Sequence, residues 1–236
     1  MPGPATARRD SAPESPFRDE LLGPDRLAVE ARRIAAGQRT AAGGRFRTTP
    51  LLSLIARAAK DLAADNAALN RASQGPRAVS PAGEWLLDNY YLIEQQVREV
   101  REDLPVRYGM ELPRLESGPN EGLPRVYEAV VSIISRTDSR LDVGALLGFI
   151  DAYQEVVPLT IGECWAVPIM LRTGLLENLR RLSRSVLQSH LDEDAADTWA
   201  DRFTLAEQND PDSLPELLAR IGTEPRHDSP VFLLRL

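Results

Sequence analysis

The run Gly-Glu-Trp-Leu-Leu-Asp-Asn-Tyr-Tyr at residues 83–91 gathers side chains that suit a sugar. The rings of Trp85 and Tyr91 can stack on the C–H face of a pyranose, and Asp88 and Asn89 can hydrogen-bond its hydroxyls. The same types also serve packing. The rings can wedge against a neighbouring helix while Asp88 and Asn89 bond backbone at a helix end. Packing is the preferred reading, because buried polar groups are usually paired within the fold. A second set comprises Arg125, Asp138, Arg140, Glu163 and Arg172. Guanidinium and carboxylate form two parallel hydrogen bonds, so an internal Arg–Asp and Arg–Glu network between helices is expected. Ligand binding would require these groups to face a cleft. Glu163 and Trp165 flank Cys164, and Glu163 also completes a Thr-x-x-Glu capping box with Thr160, a duty that competes with catalysis. Glycoside hydrolysis needs two carboxylates about 5–10 Å apart across a cleft, and the sequence selects no such pair. No catalytic residue is therefore assigned.

No spacing of His, Cys and Asp marks a metal site, and His190 and His227 lie in polar flanks. Dinucleotide and phosphate-loop glycine patterns and the G-x-S-x-G elbow are absent, so no cofactor is expected. The single cysteine, Cys164, permits no internal disulfide, which fits a reducing compartment. Its apolar neighbours predict a buried, inert thiol. A net charge of −7 weighs against general nucleic-acid binding. Charge is uneven: residues 1–50 carry nine Arg against six acids, and residues 191–228 eleven acids against three Arg. The basic stretch could meet anionic lipid, but a solvated leader is the preferred reading. The first twenty residues have no apolar core of a secretory signal. The longest apolar stretch, residues 156–171, is interrupted by Glu163 and falls short of the roughly 20 residues that span a bilayer.

Ala, Leu and Arg dominate and aromatics are scarce, a mixture that favours helices. Proline-rich residues 1–24 read as disordered, with a short helix over residues 25–36 interrupted by Gly37, Gly43 and Gly44. Thr49–Pro50 and Ser80–Pro81 are helix starts. From the second, Leu86, Tyr90, Ile93, Val97, Val100 and Leu104 recur at helical spacing up to Pro105. A Pro- and Gly-rich linker covers residues 105–121. Helices are then predicted over residues 122–136 and from an Asp142 cap, the latter with Val143, Leu146, Leu147, Ile150 and Tyr153 inward. Another starts at Thr160, with a kink or restart at Pro168 and a stripe of Leu171, Leu175, Leu179, Leu182 and Val186. Two acidic helices follow, around residues 193–208 and 214–221, the second with a Ser213/Glu216 capping box. Residues 230–236 form a fresh apolar run that looks unfinished. No strand alternation is present. The expectation is an all-α, irregular multi-helix bundle, with a largely disordered leader at residues 1–48 and a helical domain at residues 49–236.

Residues 80–183 carry four motifs in order: SPAGEWLLDNYYLIEQQVREVREDLP, ELPRL, GLPRVYEAVVSIISRTDSRLD and FIDAYQEVVPLTIGECWAVPIMLRTGLLENLRRLS. This block resembles the N-terminal cytoplasmic region of cyclic β-1,2-glucan synthases, large bacterial inner-membrane glycosyltransferases that build glucan from UDP-glucose and cyclise it. The resemblance implies a segment that precedes the membrane and catalytic domains and carries none of their chemistry. It implies a cytoplasmic place at the inner face of the inner membrane, with membrane contact only peripheral or through a partner. The implied partner is the glycosyltransferase domain of the same or a neighbouring polypeptide, with glucan as a second. A helical scaffold leads, a β-1,2-glucan or sugar-nucleotide binding module comes second, and a small glycosidase third. For the second, Trp85, Asp88, Asn89, Tyr91, Arg125, Asp138, Arg140, Glu163, Trp165 and Arg172 are the carbohydrate-binding candidates.

Overall fold

The computed structural model describes residues 20–41, 50–105, 111–221 and 229–236, and these are overwhelmingly helical, as composition and periodicity predict. The chain divides into two compact units. One comprises Met1–Ile55 with Glu99–Asn178, and the other Ala56–Arg98 with Leu179–Leu236.

In the first unit, helix α1 (Pro24–Gly37) places Leu27, Ala31, Ile34 and Ala35 on one stripe. These residues share a buried cluster with Ala129 and Ile133 of α5 (Arg125–Arg136) and with Phe149, Ala152 and Tyr153 of α6 (Val143–Gln154). Residues 24–41, assigned to the leader on composition, are therefore part of a folded core. The prolines that open the sequence, together with Gly43, Gly44 and Thr49, lie outside the described residues.

Leu123 just before helix α5, and Val126, Tyr127, Val130, Ile133 and Ile134 on it, are all buried. Asp142 caps α6 as expected, accepting from the Ala145 amide at 2.9 Å. The inward face of α6 differs from the expectation. Val143 and Leu147 are 71% and 58% exposed, whereas Phe149, Ala152 and Tyr153 are buried. An almost wholly apolar segment offers several faces, and the one carrying Phe149 and Tyr153 removes most apolar area from water.

Two short strands also form where none was expected. Strand β1 (Thr40–Ala41) pairs antiparallel with β2 (Arg114–Leu115), Thr40 opposite Leu115 and Ala41 opposite Arg114. A ladder this short has no alternation to announce it. It ties the segment that follows α1 to the segment that precedes α5. Gly122, at φ 78°, makes the turn into α5, and its amide donates to the Leu115 carbonyl at 2.9 Å.

Helix α2 (Pro50–Ser73) begins at the expected proline. The helix foreseen from Ser80 onward is broken. Ser80 caps α3 (Pro81–Asp88), but Asn89 leaves the helical region and α4 (Tyr90–Asp103) starts beyond it. The Asn89 side-chain amide donates to the Trp85 carbonyl at 2.8 Å, so it terminates α3 locally.

Helix α7 (Ile161–Asn209) runs through Pro168 without a restart and absorbs the first acidic helix. On it Met170, Leu176 and Leu187 are buried, while Leu182 of the expected stripe is 43% exposed. Polar side chains take some of the interior places: the Ser183 hydroxyl donates to buried Asp65 at 2.9 Å. In the second unit Arg77 pairs with Glu193 at 2.7 Å, with Asp194 at 2.8 Å and with Asp197. Ser213 does not close a capping box; its hydroxyl donates to the Asp210 carbonyl at 2.7 Å, in a 3-10 turn before α8 (Leu214–Ile221). Phe232 of α9 (Pro230–Arg235) is buried with Ala196 and Trp199 of α7. Among the described residues no helix is long and apolar enough to cross a membrane.

Gly174 of α7 packs so closely on α5 that an added Cβ would lie 2.7 Å from Ile134 Cδ1. Gly174→Val should therefore overpack this contact and lower unfolding stability by about 1–3 kcal/mol. Gly174→Ala should lose less, because alanine's helix propensity returns up to about 1 kcal/mol. Urea titration followed by circular dichroism measures both.

Candidate functional site

The chemistry of the first unit centres on a buried ion pair. Arg125 is the first residue of α5, and Glu163 sits in the first turn of α7. Arg125 Nε donates to Glu163 Oε1 at 2.6 Å, and Nη2 donates to Oε2 at 2.9 Å and to the Pro158 carbonyl at 2.9 Å. Glu163 Oε2 also accepts from the Thr160 amide at 2.9 Å and its hydroxyl at 3.0 Å, while the Thr160 hydroxyl accepts from the Glu163 amide at 3.2 Å. The capping box is thus formed, and its carboxylate is fully enclosed. Burial pushes the Glu163 carboxyl up, but the hydrogen bonds from Arg125 and Thr160 outweigh it and hold the group below the usual carboxylate range.

Hydrogen bonds continue outward from this pair. Gln38 Nε2 donates to the Arg125 carbonyl at 3.1 Å and to Glu128 Oε2 at 2.8 Å. The Tyr153 hydroxyl donates to Gln38 Oε1, and Asn120 donates to Glu128 Oε1 at 3.3 Å. Burial is the main cause that pushes the Tyr153 hydroxyl up to about 12, so it remains a donor.

Gln38, Asn120 and Glu128 belong to the wall of a cleft of about 360 Å³ between α1 and α5. Its far side carries Glu30, which accepts from Arg33 at 2.7 Å through each oxygen and from Arg136 at 3.3 Å. The Arg33 hydrogen bonds are the main cause that holds the Glu30 carboxyl below its ordinary range, against burial.

The candidates taken from sequence do not gather into one site. Trp85, Asp88, Asn89 and Tyr91 belong to the unit containing Ala56–Arg98, and the other six to the unit containing Glu99–Asn178. Within the second set only Arg125 and Glu163 pair with each other. Arg172 instead pairs with Asp103 at 2.9 Å and Glu99 at 3.5 Å. Asp138 and Arg140 are exposed, and Asp138 sits at φ 51° in the turn that ends α5.

Trp85 and Tyr91 are 53% and 63% exposed, so neither is wedged into the interior as the packing reading expected. Trp165 is 75% exposed, and Cys164 is also exposed rather than buried, because their face of α7 turns away from the Glu163 side. His190, placed in a polar flank by its neighbours, is buried 3.5 Å from Asp194, and His227 lies outside the described residues. Among the described residues no cluster of His, Cys, Asp or Glu could hold a metal. Sequence reading missed Gln38, Glu128, Asn120 and Glu30. The one available signal was the polar series Glu128, Ser132, Ser135 and Arg136 at helical spacing on α5.

Comparison with known proteins finds a relative. The chain is 36% identical over 141 residues to cyclic β-(1,2)-glucan synthase NdvB of Rhizobium meliloti (strain 1021). The match takes in 60% of this chain and 5% of that enzyme, so the chain spans only a small part of its relative's length. No family model matches. The likeness makes the two sequences relatives over the matched span.

Removing one member of a buried pair strands the other charge, so Arg125→Met or Glu163→Leu alone should destabilise the first unit by about 3–5 kcal/mol. The double variant should recover much of that loss in chemical denaturation, though not the capping-box share. The acid response follows from the depressed carboxyls of Glu163 and Glu30. Their contribution is complete above the unfolded value near 4.5 and is lost as pH falls through their lower folded values. The double variant should therefore show a shallower loss of melting temperature between about pH 5 and pH 2 than the unaltered chain.

Proposed function

We propose that this chain is a helical accessory or scaffold segment of a cyclic β-1,2-glucan synthase polypeptide, supporting glucan synthesis from UDP-glucose without performing it. The carrying observation is the 141-residue likeness to the rhizobial synthase. The state of Glu163 supports a structural assignment. Both of its oxygens are occupied by Arg125 and Thr160, so the most enclosed carboxylate of the recognised motifs fastens helices rather than shuttling protons. The proposed partner is the glycosyltransferase domain of the same or a neighbouring polypeptide. The proposed place is the cytoplasm at the inner face of the inner membrane, with any membrane contact peripheral or made through that partner.

A second reading, β-1,2-glucan binding, is favoured by the exposure of Trp85 and Tyr91 beside exposed Asp88. Rings left in water are available to stack on sugar faces.

Two measurements test these readings. The purified chain given UDP-glucose alone should make no glucan. Added to membranes holding the rhizobial synthase deleted for its matching segment, it should restore synthesis; no restoration, or turnover by the chain alone, would overturn the scaffold assignment. For the second reading, titration calorimetry with β-1,2-glucan should show binding that Trp85→Ala weakens by about fivefold, equivalent to about 1 kcal/mol of stacking, with the melting temperature unchanged.

A further inference from the structure

The cleft between α1 and α5 is lined by two carboxylates, Glu30 and Glu128, and two guanidiniums, Arg33 and Arg136, so its formal charge is zero. Both guanidiniums already bind Glu30. A phosphate or carboxylate ligand would have to compete with that carboxylate for them, and leaving it buried without its partners is costly. A cation would meet the same two guanidiniums. Charged ligands of either sign are therefore disfavoured.

Glu128 differs from Glu30. Each of its oxygens is held by a neutral amide, Asn120 on one side and Gln38 on the other. A carboxylate held in this way keeps its orientation and retains lone pairs for further donors. Ser132 stands one turn further along α5 in the same lining, and its hydroxyl has no hydrogen-bond partner among the described residues. The volume of about 360 Å³ lies within the small-molecule range of roughly 300–1,000 Å³.

We propose that this cleft binds a neutral, hydroxyl-rich small molecule of sugar size, with Glu128 accepting from its hydroxyls and Ser132 completing the contact. Glucose and its β-1,2-linked disaccharide are the probes of choice. The choice of linkage rests on the function proposed above, whereas the ligand class rests on the cleft alone.

The test is a nuclear magnetic resonance titration of the full chain with glucose, the β-1,2-linked disaccharide and a glucose phosphate. Neutral sugars should shift resonances of residues 30–38 and 120–136. Glu128→Gln should weaken binding about tenfold, as loss of a charged acceptor implies. Ser132→Ala, which removes a side chain making no internal hydrogen bond, should weaken it about threefold with the fold intact. It keeps the test decisive if the Glu128 variant unfolds. The inference is overturned if neutral sugars at millimolar concentration leave these residues unshifted, if Ser132→Ala binds like the unaltered chain, or if the phosphate ester binds the cleft more tightly. Shifts at Trp85 and Tyr91 with a silent cleft overturn it while supporting the aromatic surface. Cleft binding indifferent to linkage supports it without supporting a glucan-specific role.

Discussion

The Arg125–Glu163 pair is the constraint on which the first unit depends. Taking both charges out of water costs several kcal/mol per ion, and attraction compensates only when geometry is good and the remaining hydrogen-bonding capacity is used. Both conditions are met: the guanidinium engages the carboxylate twice and the Pro158 carbonyl once, and the carboxylate also accepts twice from Thr160. Four segments are thereby tied to one centre: the start of α5, the Pro158 turn, the cap at Thr160 and the first turn of α7. The net contribution of such a pair to stability is small beside the cost of removing one partner alone.

Its influence reaches the cleft through the backbone. The carbonyl of Arg125 accepts from Gln38, and the same Gln38 amide braces Glu128. Gln38 is brought there by the short β1–β2 ladder, in which the Arg39 carbonyl accepts from the Glu116 amide at 3.0 Å beyond the paired residues. A two-residue strand pair of negligible intrinsic stability thus acts as a positioning device.

Local rules and long-range pairing were unequally legible. Ser80, Asp142 and the Thr160–Glu163 box could be read directly, since a cap depends on residues three positions apart. The apolar stripe of α5 was equally plain, because its polar and apolar residues alternate at a sharp helical period. On α6 the contrast vanishes, and only the partner surface decides that Phe149 rather than Leu147 turns inward. Of the candidate site, the Arg–Glu pair could be anticipated from residue chemistry. Its continuation to Gln38, and the separate Arg136–Glu30 contact across the cleft, could not, because those contacts cross some ninety to one hundred residues of chain. Helix α1 was legible as a helix over residues 25–36, but its place in the core was not, because its alanine-rich stripe becomes a core only against α5 and α6.

The polar centre and the exposed aromatics set opposite limits on function. Glu163 could accept a substrate proton only by giving up bonds that hold α7 at its cap. Trp85 and Trp165 make the reverse commitment. Each leaves a large ring in water, where it contributes little to folding and remains available for contact. Glu128 lies between these extremes, oriented by the internal network yet facing an open cleft. A group that is rigidly placed but not used up presents a ligand with a preformed acceptor, and the ordering cost of binding has already been met by folding.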